Sequence, residues 1–351
     1  MDIFASINIY AWLTVLFSTP RTKSLKNVGG NFYRHPIDMK HILTFIGLLT
    51  FSVLTYGQNS STIYTTDIDN FWQAYDSVRT TKDTVKQLYF IQTLYLDKAS
   101  DGLKDFIYLR EHSSKLHLDN ILKYPKFWNS VRQKTLDIKN HIKEIEGILE
   151  KFSILYDNYK PPKIYFTIGV LNSGGTTSPG KILIGSEIAC ADKDVDASEL
   201  SKWLQGVFKL NTNIVAMVAH ELVHTQQKDG DRNSNLLGHS IREGACDFIA
   251  ELIYKPISSP YMTYGNANEQ YLWTEFKKEM YGQETKNWLY NGDNAPNGVA
   301  DLGYFIGYKI CQSYYNNARN KRKALKEIIE LTYEKKQLNK FLKKSKYNGG
   351  E

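Results

Sequence analysis

Residues 213–227, NIVAMVAHELVHTQQ, form the stretch on which the fold depends. Apolar residues recur through it at helical spacing, and Thr212 or Asn213 supplies a side-chain oxygen suited to the N-cap of a helix. The stretch therefore predicts a mostly buried helix that carries the motif HExxH near its end.

The two histidines of this motif, His220 and His224, lie four positions apart, so both imidazoles lie on one face of the helix. From there both can bind one zinc ion at the usual Zn–N distance of about 2.0 to 2.1 Å. Glu221, next to the first ligand, is placed to accept a proton from a metal-bound water. The motif thus predicts one Zn²⁺ with Glu221 as general base. The alternative is a helix whose histidines are surface or satisfied core residues.

A hydrolytic zinc site needs a third protein ligand and leaves the fourth position to water. The extended motif with a Gly three and a His six residues past the second ligand is excluded, because positions 227 and 230 hold Gln and Gly. Glu243 lies 19 positions after the second histidine, in another apolar-periodic segment, and is the expected third ligand. Asp247 follows one turn later, where a carboxylate can orient the first histidine.

The pattern HExxH followed by ExxxD resembles the gluzincin metallopeptidases, the thermolysin-like branch of the zincins. The runs LLGHSIREGACDFIAELI, from position 236, and DLGYFIGYKI, from position 301, are similar to those of a bacterial family of predicted zinc-dependent proteases. This resemblance covers residues 163–347. It implies metal ligands at His220, His224 and Glu243, a base at Glu221, and a peptide or protein substrate.

Three further side chains are candidates for stabilising an oxyanion. His239 precedes Glu243 by one helical turn, and a His or Tyr can donate a hydrogen bond to a developing oxyanion. Tyr304 and Tyr308 share one face of a predicted helix, and resemblance to the family's GYxxGY segment implies that they are neighbours of the site. The alternatives are an exposed or capping histidine and ordinary packing tyrosines.

The chain has only three cysteines, too few for a disulfide scaffold. Cys246 lies between the expected third ligand and Asp247. Because a fourth thiolate ligand would close the site to water, we interpret Cys246 as a small core residue.

The flanking sequence predicts an α+β fold that is predominantly helical. Residues 67–159 carry helical apolar stripes, the longest over 128–156, and a proline pair ends this half. Residues 163–171 and 181–184 are β-rich and joined by a Gly-containing loop, which predicts an antiparallel hairpin. By the resemblance to zincins, this small antiparallel sheet lies above the HExxH helix, and its second run is a candidate edge for an extended substrate. The alternative is an ordinary structural hairpin.

Residues 39–57 have the features of a signal peptide: a basic start, the apolar run ILTFIGLLTFSVL, and small residues at the last and third-last positions. We expect an exported, periplasmic or secreted protein with four segments: an untranslated upstream segment 1–38, the signal peptide, a helical region 58–160 and a metallopeptidase region 163–351. The alternative is a membrane hairpin of the two early apolar stretches, but each is shorter than the ~20 residues of a spanning helix. No Cys follows the signal, so no lipid anchor is expected at that point.

The formal net charge is +7, and residues 319–346 are basic and helical in pattern. Basic helices can meet nucleic acid or anionic lipid. For an exported protein we expect no nucleic acid and interpret this segment as a solvated face. We also expect no transmembrane helix in the mature chain.

The sequence therefore predicts an exported zinc-dependent metallohydrolase, with a peptidase as the favoured form. One alternative is a non-catalytic envelope assembly or binding protein in which zinc only joins two helices. Another is a hydrolase of non-peptide amides. The oligomeric state is left open.

We expect translation to start at Met39 and the mature chain to start at Gln58. Mass spectrometry of the native protein should then find no peptide from residues 1–38. A single peptide from that segment would show that it is translated.

Overall fold

Most of the chain that the computed structural model describes is helical. The described residues are 62–350 without 210–212, 229–233, 257 and 297, so the predicted signal peptide and upstream segment lie outside them. By contacts, Ser61–Glu351 form one compact unit. The helices are α1 (Thr66–Val78), α2 (Thr84–Leu94), α3 (Asp101–Arg110), α4 (Ser114–Lys123), α5 (Pro125–Leu136), α6 (Ile142–Leu155), α7 (Ser186–Ala189), α8 (Lys202–Lys209), α9 (Ile214–Gln226), α10 (Leu236–Ile253), α11 (Pro260–Ala267), α12 (Glu269–Glu279), α13 (Leu302–Asn317), α14 (Lys321–Ile329) and α15 (Lys335–Ser345).

The predominantly helical α+β fold is confirmed, but the small sheet is mixed rather than antiparallel. Its strands are β1 (Ile63–Tyr64), β2 (Lys163–Thr167), β3 (Gly175–Ser178) and β4 (Lys181–Gly185), in the order β1-β2-β4-β3. β1 and β4 both pair with β2 in parallel, and only β3 runs antiparallel to its neighbour β4.

The predicted hairpin of residues 163–171 with 181–184 is therefore wrong. The turn at Gly180, whose φ is +69°, joins β3 to β4 instead. β3 consists of GTTS, whose glycine and flanking turn residues gave it the composition of a loop. As a result β4 lies between β2 and β3, and β3 is the edge strand on this side of the sheet, with β1 at the other edge.

The segment from β2 to β3 is held by buried polar groups. Tyr95 donates its hydroxyl hydrogen to Ile168 O at 2.5 Å, and the Glu187 carboxylate accepts from Gly169 N at 2.8 Å and Leu171 N at 3.1 Å. Burial raises the pKa of Glu187 to about 7. These bonds fix the course of the chain just before β3.

Two predicted long helices are each divided. Residues 128–156 contain the end of α5, a 3₁₀ turn at Asp137–His141, and α6. The turn has the sequence DIKNH, in which Asp, Asn and His are weak helix formers. Residues 319–346 likewise form α14 and α15 instead of one helix. Within the described residues, no helix combines the length and apolar character needed to span a bilayer.

The HExxH helix is α9, as predicted. Asn213 caps it, because its Oδ1 accepts from Val215 N at 2.8 Å and Ala216 N at 3.3 Å. α9 packs against α10 on one side and against β3 and β4 on the other. The metal motif therefore lies between the second motif helix and the edge strand.

α10 and α13 cross at two glycines. A Cβ on Gly244 would lie 2.0 Å from Tyr308 N, and a Cβ on Gly307 would lie 1.7 Å from Ser240 O. No side chain fits at either position, so the two backbones are in direct contact. This close crossing makes α10 the centre of the C-terminal half.

We expect Gly244→Ala and Gly307→Ala each to lower the free energy of unfolding by about 3 kcal/mol or more, because each methyl group overlaps backbone. Denaturant titration followed by circular dichroism measures the change. The matched control is Gly147→Ala in α6, where nothing lies within 4 Å of the added Cβ. This variant should gain about 0.5–1 kcal/mol. Wild-type stability of Gly244→Ala would show that the crossing separates at little cost.

Candidate metal centre

α9 and α10 bring the three predicted metal ligands together. The Glu243 Oε2 atom lies 3.1 Å from His224 Nε2 and 3.6 Å from His220 Nε2. The two imidazole centroids are 4.9 Å apart. The three side chains are only 9–12% exposed, so the cluster is nearly enclosed.

The arrangement fits a tetrahedral zinc ion. Ligand atoms about 2.0 to 2.1 Å from zinc lie about 3.4 Å from one another. The two nitrogen–oxygen distances in the cluster, 3.1 and 3.6 Å, bracket that value. His220, His224 and Glu243 are therefore the residues that could hold the ion.

The outer ring nitrogens are held by polar side chains. His220 Nδ1 lies 2.7 Å from Asp247 Oδ1, and His224 Nδ1 lies 2.8 Å from Gln227 Oε1. An acceptor at Nδ1 places the proton there and leaves Nε2 free to bind metal. Asp247 thus occupies the orienting position that the sequence predicts. Gln227 plays the same part for His224, and no sequence motif indicated this.

The metal-free cluster is an ion-pair network. Burial opposes charge on Glu243, but the imidazoles of His224 and His220 hold its pKa well below the usual value. Burial also opposes charge on His220, but hydrogen bonds to Asp247 and Glu243 hold its pKa well above the usual value. Because a histidine binds metal only when neutral, zinc has to displace a proton from this cluster.

Glu221 lies beside the cluster and against the edge strand. It is 6% exposed, and a Cβ on Gly175 in β3 would lie 2.5 Å from its Oε1. Burial raises the pKa of Glu221, and the His224 and His220 imidazoles offset this only in part. Among the described residues, no hydrogen bond to its carboxylate is found. The carboxylate is thus placed next to the metal ligands without being tied to them.

Two of the predicted oxyanion donors do not contact the site. Tyr308 donates its hydroxyl to Glu251 Oε2 at 2.6 Å and packs against Phe248, so it faces another part of α10. His239 makes no side-chain hydrogen bond or ring contact with the metal cluster among the described residues. Tyr304 does lie at the site, where its ring stacks on His220 with centroids 6.1 Å apart. Sharing a helix face with Tyr304 did not bring Tyr308 to the cluster.

Two other tyrosines, neither of them predicted as site residues, donate hydrogen bonds to carboxylates of the cluster. Tyr290 donates its hydroxyl to Glu243 Oε1 at 2.8 Å, and Tyr261 donates to Asp247 Oδ2 at 2.9 Å. Tyr290 has a φ of +57°, and its backbone N–H donates to Asp301 Oδ1 at 2.7 Å. A loop residue in this left-handed conformation has no periodic signal, and the richness of this region in tyrosine was the only available indication.

Cys246 lies next to the cluster of metal ligands, which its interpretation as a small core residue did not predict. Its Sγ is within 4.8 Å of nitrogen atoms of His220 and His224. The thiol donates to Arg242 O at 3.4 Å, and burial raises its pKa well above the usual value. Glu243 is the better third ligand, because its Oε2 atom lies within 3.6 Å of the Nε2 atoms of both histidines.

We expect Tyr290→Phe to weaken zinc binding about tenfold or more, because loss of an outer hydrogen bond to a ligand typically costs 10–100-fold in affinity. Tyr308→Phe removes the same hydroxyl group from outside the site and should leave zinc affinity unchanged. Competition with a chelating dye measures both, and His224→Ala should bind no zinc. Full zinc occupancy in His224→Ala would overturn the ligand assignment.

The comparisons with known proteins point away from the expected protease family. A family model for the gliding motility protein GldB, a lipoprotein family, matches residues 58–349. No curated protein and no solved structure matches the chain. The predicted membership in a family of zinc-dependent proteases, and with it the classification as a metalloprotease, is therefore wrong. Since the match extends over most of its length, the chain belongs to the family of the gliding motility protein GldB.

Proposed function

We propose that this protein is an exported, non-catalytic envelope protein of gliding motility in which one Zn²⁺, held by His220, His224 and Glu243, joins α9 to α10. Family membership supports the motility role, and the lipoprotein character of that family supports a place in the envelope. The zinc is a structural element of an assembly or binding module.

One observation carries the structural role of the metal. Every ligand uses its other polar atom on a neighbour: Asp247 for His220, Gln227 for His224 and Tyr290 for Glu243. Outer hydrogen bonds of this kind orient the ligands in structural and catalytic zinc sites alike, and three protein ligands leave the fourth position of a tetrahedral ion open. The observation that supports a structural role is solvent access, because the three ligand side chains are only 9–12% exposed and the fourth position is therefore shielded from water.

A zinc ion between α9 and α10 would also hold together the elements that pack against these two helices. α10 is already in backbone contact with α13 at Gly244 and Gly307, and β3 packs on α9 where Glu221 faces Gly175. A bond between α9 and α10 therefore holds the edge strand to the C-terminal core. Among the described strands β3 has a neighbour on one side only, so its other edge is the candidate surface for an extended segment of a partner.

Glu221 supports a second candidate function, a hydrolytic one. It is a buried carboxylate next to the metal ligands, and the described residues offer it no hydrogen bond. Burial raises the pKa of Glu221 above the usual value of a carboxyl group, and a raised pKa makes a carboxylate a better proton acceptor. In this candidate Glu221 is the general base, and the substrate approaches along β3.

Gliding assays separate the two functions. In a gliding bacterium that lacks its own copy of this protein, we expect Glu221→Gln to restore movement, since the amide keeps the shape of the side chain and a structural site needs no base. His224→Ala should fail, because it removes a ligand. Failure of Glu221→Gln, with zinc content and melting temperature unchanged, would favour the hydrolytic function. Restored movement by His224→Ala would show that the metal is dispensable.

Zinc removal tests the structural role in vitro. A ligand present at 100 to 1,000 times its Kd stabilises the folded state by about 3–4 kcal/mol. We therefore expect a chelator to lower the free energy of unfolding by that amount in the wild type and in Glu221→Gln. The chelator should have no effect on His224→Ala.

A further inference from the structure

A cleft of about 510 Å³ opens between α14 and α15. Four lysines and two glutamates contribute to its lining: Lys323, Lys326, Lys340, Lys344, Glu327 and Glu330. Two aromatic residues, Tyr314 and Phe341, also line the cleft, and their rings stack with centroids 4.2 Å apart. The cleft therefore has a basic rim and an aromatic floor.

The glutamates of the cleft are engaged by neighbours. Glu327 accepts the hydroxyl hydrogen of Tyr314. Glu330 Oε1 accepts from Tyr156 OH at 3.0 Å and Asn158 Nδ2 at 2.7 Å. Their closest lysines, Lys323 and Lys326, are 4.0 and 3.9 Å away, at the limit of an ion pair.

The other two lysines have no acidic partner. Lys340 and Lys344 are exposed, lie one helical turn apart on α15, and form no ion pair with any of the described residues. No ion pair within the described part of the chain therefore depends on their charges. Their ammonium groups are available to an anion in the cleft.

Positive charge is concentrated around this cleft. Residues 319–346 contain eleven Lys and Arg against three Glu, a formal charge of +8, while the whole chain carries +7. The rest of the sequence is thus close to neutral. Lys335, Lys336 and Lys343 extend the basic face of α15 beyond the cleft.

We propose that this cleft binds the phosphate-bearing headgroup of an anionic membrane lipid. Lysine ammonium groups are common phosphate ligands, and the volume lies within the roughly 300–1,000 Å³ of small-molecule sites. The aromatic floor and the space exceed what a free phosphate ion fills, and the lysines beyond the cleft suit an extended anionic surface. The proposal rests on export to the envelope and is independent of the zinc site. It replaces the solvated face expected from sequence.

Vesicle sedimentation tests the proposal. We expect the exported protein to bind phosphatidylcholine vesicles that contain phosphatidylglycerol and not vesicles of phosphatidylcholine alone. Each lysine near an anionic surface contributes about a fivefold gain in partitioning. Lys340→Gln with Lys344→Gln should therefore reduce binding about 25-fold. The matched control, Lys82→Gln with Lys86→Gln, removes the same charge from exposed positions around the start of α2, outside residues 319–346, and should lose clearly less.

The outcomes distinguish specific binding in the cleft from general attraction between a basic surface and anionic vesicles. Equal loss in the two double variants, at unchanged melting temperature, would overturn a specific cleft, and so would absence of binding to the anionic vesicles. Inorganic phosphate and pyrophosphate are titrated separately by calorimetry. Binding of either one by the cleft, without binding of vesicles, would refute a lipid source and leave a soluble phosphate compound as the ligand.

Discussion

A carboxylate shared by two imidazoles is the interaction on which the rest of the site depends. Glu243 is 7% exposed, and an isolated charge at that depth costs several kcal/mol. The imidazoles at 3.1 and 3.6 Å offset this cost, so they hold α9 against α10 at a single register. Asp247, Gln227 and Tyr290 then satisfy the outer atoms of the three ligands. Zinc would replace a proton within a cluster that is already assembled.

The position of α10 is constrained by electrostatics on the side of α9 and by close packing on the side of α13. Towards α9 it carries buried charge that must remain paired. Towards α13 it carries Gly244, and neither this residue nor Gly307 on α13 has space for a side chain at the crossing. Rotation of α10 by one residue would unpair Glu243 and at the same time drive a side chain into the backbone of α13. These two sets of contacts together fix the position of α10, and with it the position of Glu243, between α9 and α13.

The sequence correctly predicted those features of the site that depend on residue spacing within a single helix. The four-residue interval of the two histidines and the single turn from Glu243 to Asp247 are local, and the structure places all four side chains together. Contacts between segments that are distant in the sequence were harder to predict from the sequence. Parallel pairing of β2 with β4 depends on a connection through β3, whose composition indicates a loop. Tyr290 reaches Glu243 from a loop with positive φ, where no periodicity exists to indicate which side a residue faces.

The motif alone does not determine the use of the site, and Glu221 shows why. A buried carboxylate without a hydrogen bond destabilises a fold unless it is neutral or near a positive charge. Here the protonated histidine of the metal-free cluster, or a bound cation, supplies that charge, so Glu221 is tolerated in a structural site and is suited to a hydrolytic one. The difference lies in the access of a substrate to the site, and the two segments that contact its carboxylates are Tyr290, at Glu243, and the edge strand β3, at Glu221. Both belong to segments distant from HExxH in sequence, so a motif specific for the ligand set remains compatible with a family named for motility.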